Sequence, residues 1–308
     1  MAETTRTVDG HRVKISNPDR VLYPETGFTK GDLLDYYARV GPTMLPYLIG
    51  RAVTLKRYPN GVEGEVFFQK NCPVGRPQWL HTAQVWSVTH QRFQRYCMID
   101  DLPSLLWIAN LATIEMHVSL AHADQPETPT SVVLDLDPGA PASIVECAQV
   151  ALWLRERCAA LALQCFPKSS GSKGIHLHIP LNTPATFDAT KTFAHTLADQ
   201  LAEAHPDLVV SNMRRAQREG RVLVDWSQND NFKTTVCVYS LRGRARPTVS
   251  APITWDEIEH AWQTRDGRGL LVEAPQLFER LDRQGDLYAP LLTLKQSLAS
   301  PSAVSDAA

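Results

Sequence analysis

The stretch SVVLDLDPG, residues 131–139, constrains the fold more than any other. Val132, Val133, Leu134 and Leu136 read as a buried strand, yet Asp135 and Asp137 stand inside it. A polar group buried without a partner costs on the order of 2–7 kcal/mol. Residues two apart on a strand share a face, so the two acids point together while Leu134 and Leu136 point oppositely, into a core. The strand must therefore be dry on one face and compensated on the other. Like charges this close disfavour joint ionisation, and a divalent cation with oxygen ligands, Mn²⁺ or Mg²⁺, relieves them. A further acid comes from RVLVDW, where Asp225 emerges with Leu223 while Val222 and Val224 share the other face. Three carboxylates suit two metal ions roughly 3.5–4 Å apart, the arrangement used in phosphoryl transfer. The DLD pattern alone is equally compatible with one acid capping the PGAP turn and its neighbour facing water.

The segment SSGSKGIHLHIP, residues 169–180, adds the chemistry a polyphosphate needs. Glycine lets backbone amides approach, the Ser170 and Ser172 hydroxyls donate hydrogen bonds, and Lys173 supplies a point charge. GSKG lacks the GxxxxGK[ST] spacing, which disfavours a Walker-type ATPase. A Ser/Gly-rich turn is by itself often only a turn. His176 and His178 share a strand face, with His176 the candidate phosphate contact. Arg242 and Arg244 are expected to alternate out of a strand and face one side, as a phosphate clamp or as a solvated edge.

With 308 residues the chain can bury a large core and form one large or two modest units. No apolar run approaches the roughly 20 residues of a membrane span, so a cytoplasmic, nucleoid-associated protein is expected. The six cysteines show no CxxC pairing, and most are expected to be reduced core residues without a disulfide framework. Net charge is −2, which argues against a non-specific nucleic-acid coat. Between Ser211 and Ser250, however, eight basic residues face three acids, and a local basic face is expected there.

Capping boxes predict helices after Thr29, Ser143 and Thr254, and a fourth helix over Asp188–Ala204. Strands are expected at VTLKRY, SVVLDLD, IHLHIP, RVLVDW and KTTVCVYSL. The irregular interleaving predicts a mixed α/β, α+β-like fold rather than a doubly wound sheet. DQPETPT, residues 124–130, is the expected boundary between an N-terminal lobe over 11–128 and a catalytic lobe over 129–295. Residues 1–10 and 296–308 read as disordered tails.

The order DLDPG, SSGSKGIHLH, VLVDWSQN, KTT and YSLRGR, with NPDRVLYPETGFTK and VFFQKN upstream, strongly resembles one family. It is similar to the polymerase domain of bacterial ligase D, the end-joining branch of the archaeo-eukaryotic primase superfamily, from about Val13 to Ile258. The resemblance implies a primase-polymerase fold with an RRM-like catalytic sheet. It implies that Asp135, Asp137 and Asp225 are the metal-binding acids, and that Ser170, Ser172, Lys173, His176, Arg242, Arg244 and Lys56 lie along the nucleotide phosphates. His117, in IEMHVS, matches a family histidine placed near the nucleotide, and Phe67 and Phe68 match a pair that meets the templating strand. Arg20 and Lys30 match the two basic residues that recognise a 5′-phosphate, with Arg20 standing where lysine is usual.

The function so implied is a template-dependent polymerase that adds (ribo)nucleotides, from NTP or dNTP, to a primer 3′-hydroxyl. It would act at 5′-phosphorylated gaps and break ends during non-homologous end-joining, with two Mn²⁺ or Mg²⁺ ions as cofactors. The resemblance also implies Ku and a DNA ligase as partners. A silent nucleic-acid-binding module and a two-metal phosphoesterase are the alternatives.

Overall fold

The computed structural model describes residues 3–87 and 91–298. The chain divides into two compact units. One comprises Met1–Gln125, Thr234–Ser250 and Glu273–Arg283; the other comprises Pro126–Lys233, Ala251–Val272 and Gln284–Ala308. The first crossing, between Gln125 and Pro126, falls inside DQPETPT, and neither unit is continuous in sequence. Two later segments return to the N-terminal unit, and Arg242 and Arg244 belong to it. The basic segment is divided between the two units at Lys233/Thr234.

In the first unit, β1 (Glu3–Val8) pairs antiparallel with β2 (His11–Ser16). The first ten residues therefore include a paired strand rather than a tail. A short pair, β3 (Val21–Tyr23) and β4 (Phe28–Thr29), leads into α1 (Lys30–Met44). Thr29 and Asp32 close the predicted capping box. The sheet that follows contains β5 (Val53–Arg57), β6 (Phe67–Gln69), β7 (Thr82–Ser87), β8 (Arg92–Cys97) and β9 (Thr113–Val118). The helix α2 (Leu102–Asn110), absent from the sequence reading, packs on α1. Cys72 and Cys97 form a disulfide, contrary to the expectation of no such link. The Cys72 N–H donates to the Arg95 carbonyl and holds the two side by side. Cys147, Cys158, Cys165 and Cys237 are buried free thiols.

The second unit is built on a mixed sheet of β10 (Ser131–Pro138), β11 (Phe166–Ser169), β12 (Ile175–Pro180), β13 (Val209–Val210) and β14 (Val222–Asp225). The strand order is β11-β12-β10-β14-β13, with only β13 and β14 parallel. One face is the core. Val132, Leu134 and Leu136 of β10, Ile175, Leu177 and Ile179 of β12, and Val222 and Val224 of β14 pack on α3 (Ile144–Ala160), α4 (Phe187–Ala204) and α5 (Trp255–Thr264). The Ser143 and Thr254 capping boxes are both present, and α4 begins one residue before its predicted start. Gln296, within the expected C-terminal tail, is tied by its N–H to the Leu181 carbonyl; residues 299–308 lie outside the described residues.

KTTVCVYSL forms a strand only at β15 (Thr235–Val236), which pairs with β9 and extends the first unit's sheet. Beyond it the chain turns through Gly243 and Pro247, so Arg242 and Arg244 sit on a loop and do not alternate out of a strand.

Candidate functional site

On the second unit's sheet, alternation sends the acids to the face opposite the core. The antiparallel ladder sets Asp135 directly across from Asp225 on one side and from His176 on the other. Residues opposite one another share a face, so β10, β12 and β14 place Asp135, Asp137, Asp225 and His176 together. The side chains of Asp135 and Asp137 are 25% and 37% exposed.

Each acid has a local partner. Asp137 lies 3.0 Å from Lys173 Nζ and 3.7 Å from Arg218 Nη1. Asp135 lies 3.4 Å from His176 Nε2. Asp225 accepts from the Ser227 N–H at 2.8 Å, the Ser227 hydroxyl at 2.6 Å and Gln228 Nε2 at 3.0 Å. Among the described residues no three such groups stand in a metal-ligating arrangement, each acid being turned to its own partner. The donor set nevertheless suits a hard cation: all three are carboxylate oxygens, and nitrogen cations now supply the compensation at Asp137.

Ser170 organises the turn before β12: its hydroxyl accepts from the Ser172 and Gly174 N–H groups at 3.2 and 3.1 Å. Gly174 is dictated by space, since a Cβ there would lie 2.1 Å from the Leu136 carbonyl oxygen. This close approach carries Lys173 back over β10, where Nζ donates to the Pro138 carbonyl at 3.1 Å.

The first unit carries a different constellation. On β5, Lys56 lies opposite Glu115 of β9 and opposite Phe68 of β6, so the three share one face, joined by His117 two residues along β9. The next residue, Arg57, lies opposite Phe67 and faces the other way. The adjacent phenylalanines thus serve opposite faces, and at 42% and 67% exposure both Phe67 and Phe68 are open to solvent.

Glu115, which the sequence reading passed over, is the hub. It is 1% exposed. Its Oε1 accepts from Lys56 Nζ and the Tyr58 hydroxyl, each at 2.7 Å, and from the Gly243 N–H at 3.1 Å. Its Oε2 lies 2.9 Å from His117 Nε2 and 3.1 Å from Arg242 Nε. Burial pushes the Glu115 carboxyl up, but the His117 hydrogen bond and the Arg242, His117 and Lys56 charges outweigh it and hold the group well below the carboxylate range. Burial pushes the His117 imidazole down, against the pull of Glu115. Arg244 is exposed beside this hub.

Near the start of α1, Lys30 is buried and its ammonium donates to the carbonyl and hydroxyl oxygens of Ser16. Burial, reinforced by the Arg20 and Arg57 charges, pushes its pKa down to about 8. Arg20 Nη1 donates to the Pro59 carbonyl at 2.6 Å, and Arg57 uses Nε on the Leu111 carbonyl and Nη1 on Gln69. Cations crowded without an acid among these contacts form an anion-seeking cluster. Arg57 was not singled out in the sequence, although the KR pair of VTLKRY displays the alternation that places it.

The site is thus a helix-backed mixed sheet bearing acids and a Ser/Gly/Lys turn on its open face. Residues 29–288 match the family model described as "LigD, primase-polymerase domain", and the chain belongs to that family. It is 41% identical over 283 residues to the "Multifunctional non-homologous end joining protein LigD" of Mycolicibacterium smegmatis, covering 91% of this chain and 36% of the relative. The "Bifunctional non-homologous end joining protein LigD" of Bacillus subtilis is 32% identical over 275 residues, with coverages of 89% and 43%. The chain thus spans well under half the length of these relatives. A solved structure, the polymerase domain of Mycobacterium tuberculosis ligase D in complex with DNA, aligns with a TM-score of 0.85 and 40% identity, covering 92% of this chain and 99% of that one. No helix among the described residues is long and apolar enough to cross a membrane.

Proposed function

We propose that this primase-polymerase extends a primer 3′-hydroxyl, templated by the opposite strand, at 5′-phosphorylated gaps and break ends in non-homologous end-joining. The observation that carries the reading is the ladder pairing of Asp135 with Asp225, which brings acids from segments about ninety residues apart onto one face. Asp135, Asp137 and Asp225 would hold two Mn²⁺ or Mg²⁺ ions. Bound there, such ions acidify an attacking hydroxyl and neutralise a pyrophosphate leaving group.

The chain's own residues supply positioning. The Ser170 turn presents the Ser172 hydroxyl and the Lys173 ammonium, and His176 lies beside Asp135, all donors suited to phosphate oxygens. For Lys173 and Arg218 to engage an incoming polyphosphate they must leave Asp137, so the same movement exposes the acid and charges the phosphate contact. On the other unit, Lys56, His117, Arg242 and Arg244 are read as nucleotide contacts, Phe68 and Phe67 as stacking surfaces for template bases, and Lys30 with Arg20 as the receptor of the 5′-phosphate. The relatives' names support the end-joining role; Ku and a DNA ligase as partners rest on the family resemblance alone.

One gel decides among the readings. A labelled primer on a gapped duplex, incubated with nucleotide and Mn²⁺, should lengthen. Shortening would favour a phosphoesterase, and salt-dependent binding without product would favour a silent binding module.

A further inference from the structure

The strand TIEMHV repeats the puzzle of the acidic strand, a carboxylate where a core strand is expected. Ile114 and Met116 are fully buried on one side, and alternation sends Glu115 and His117 to the other. Unlike the aspartates, Glu115 has nothing left to offer a ligand. A carboxylate presents about four lone-pair sites; Lys56, Tyr58, Gly243 and His117 take them, and the Arg242 guanidinium adds a charge 3.1 Å from Oε2. The local sequence is shaped to that convergence: a Cβ at position 243 would lie 2.2 Å from the Tyr58 hydroxyl oxygen, so only glycine lets the backbone N–H between Arg242 and Arg244 reach the carboxylate.

We propose that Glu115 is the positioning residue of the cation set on this sheet, a buried anion that fixes Lys56, Arg242 and one tautomer of His117 in the orientation a nucleoside triphosphate meets. The proposal rests on the reading of these residues as nucleotide contacts. An ionised carboxylate only accepts hydrogen bonds, so the proton of His117 sits on Nε2, and Nδ1 is left as the acceptor nitrogen. The imidazole then acts through Nδ1 on a hydroxyl or a water, while Lys56 and Arg242 carry the phosphate charge. Glu115 touches no substrate. Its negative charge would repel a triphosphate, so its value lies in orientation outweighing that repulsion.

The experiment has two arms. In wild-type protein with ¹⁵N-labelled histidine, long-range ¹H–¹⁵N correlation near neutral pH should show His117 neutral with its proton on Nε2; a proton on Nδ1, or an imidazolium, would overturn the assignment without any variant having to fold. In the second arm, Glu115→Gln should raise the KM for ATP by about 10- to 100-fold, the scale of a lost charge-assisted hydrogen bond, with kcat changed less than about threefold. Glu115→Asp should recover part of the loss and keep the Nε2 tautomer. Tighter or unchanged ATP affinity in Glu115→Gln would show that the carboxylate only repels phosphate, and would overturn the proposal. If wild-type protein binds no ATP, the nucleotide reading fails and the ligand named here with it, whereas the Glu115–His117 arrangement is decided by the tautomer alone.

Discussion

The open sheet face of one unit and the β5–β9 sheet of the other handle charge in opposite ways. On the first, carboxylates are a quarter to a third exposed and held by contacts that side-chain rotation can undo, such as Lys173 and Arg218 on Asp137. On the second, a single buried carboxylate is saturated and its cations are largely buried with it, Lys56 and Arg242 being 19% and 12% exposed. The contrast teaches that an acid's role follows from its remaining bonding capacity. On the proposed reading a loosely compensated aspartate would take a metal ion, whereas a saturated glutamate would organise others.

The strongest way to break that comparison is to remove an aspartate. Asp137→Ala or Asp225→Ala should reduce nucleotide addition by about three orders of magnitude, since several kcal/mol of charge stabilisation are lost and each 1.4 kcal/mol is tenfold. DNA affinity should stay nearly intact. Extension by both variants, measured on the same gapped primer, would refute the metal assignment.

Next in size is the effect of removing the saturated acid. Glu115→Ala strands buried cations and should destabilise the fold by about 3–5 kcal/mol, read by denaturant titration. Asp137→Ala should shift stability by less than about 1 kcal/mol, as expected of a partly exposed group. Equal losses would erase the distinction. The same difference has a pH signature. The Glu115 carboxyl is held below its ordinary value, so its contribution is fully present above about pH 4.5 and is lost as the pH falls below that.

A smaller effect tests the cation cluster at α1. Lys30→Ala should lower the preference for 5′-phosphorylated over unphosphorylated gaps by about tenfold, one charge-assisted contact; an unchanged ratio of affinities would count against the assignment. The smallest effect is a titration. Because Lys30 has its pKa pushed down to about 8, its charge is lost as the pH rises through 8, and the 5′-phosphate preference should fall with it. Stability moves the other way: the penalty of a buried ammonium is present below about pH 8 and is relieved as the pH rises toward the ordinary lysine value.

Much of this was legible in the sequence because the governing rules are local. Alternation separates Asp135 and Asp137 from Leu134 and Leu136, and capping boxes mark the starts of α1, α3 and α5. What was misread depended on distant partners. Arg242 and Arg244 looked like strand residues, but they flank Gly243 in a loop that packs against Tyr58. Cys72 and Cys97 lack any motif, and hydrogen bonds of Asn71 and Cys72 to Arg95 of β8 bring them together. The chain's later returns to the first unit left no composition shift to read. Glu115 was legible but unread: the question asked of DLD applies equally to IEMHV.

Strand β5 makes one further demand. Lys56 and Arg57 are consecutive, yet one belongs with Glu115 and Phe68 and the other with Gln69 and Phe67. Inserting or deleting a single residue ahead of them would exchange the two surfaces wholesale. The spacing of this short segment is therefore as binding as its chemistry, and a shift of one position would break the Lys56–Glu115 and Arg57–Gln69 contacts together.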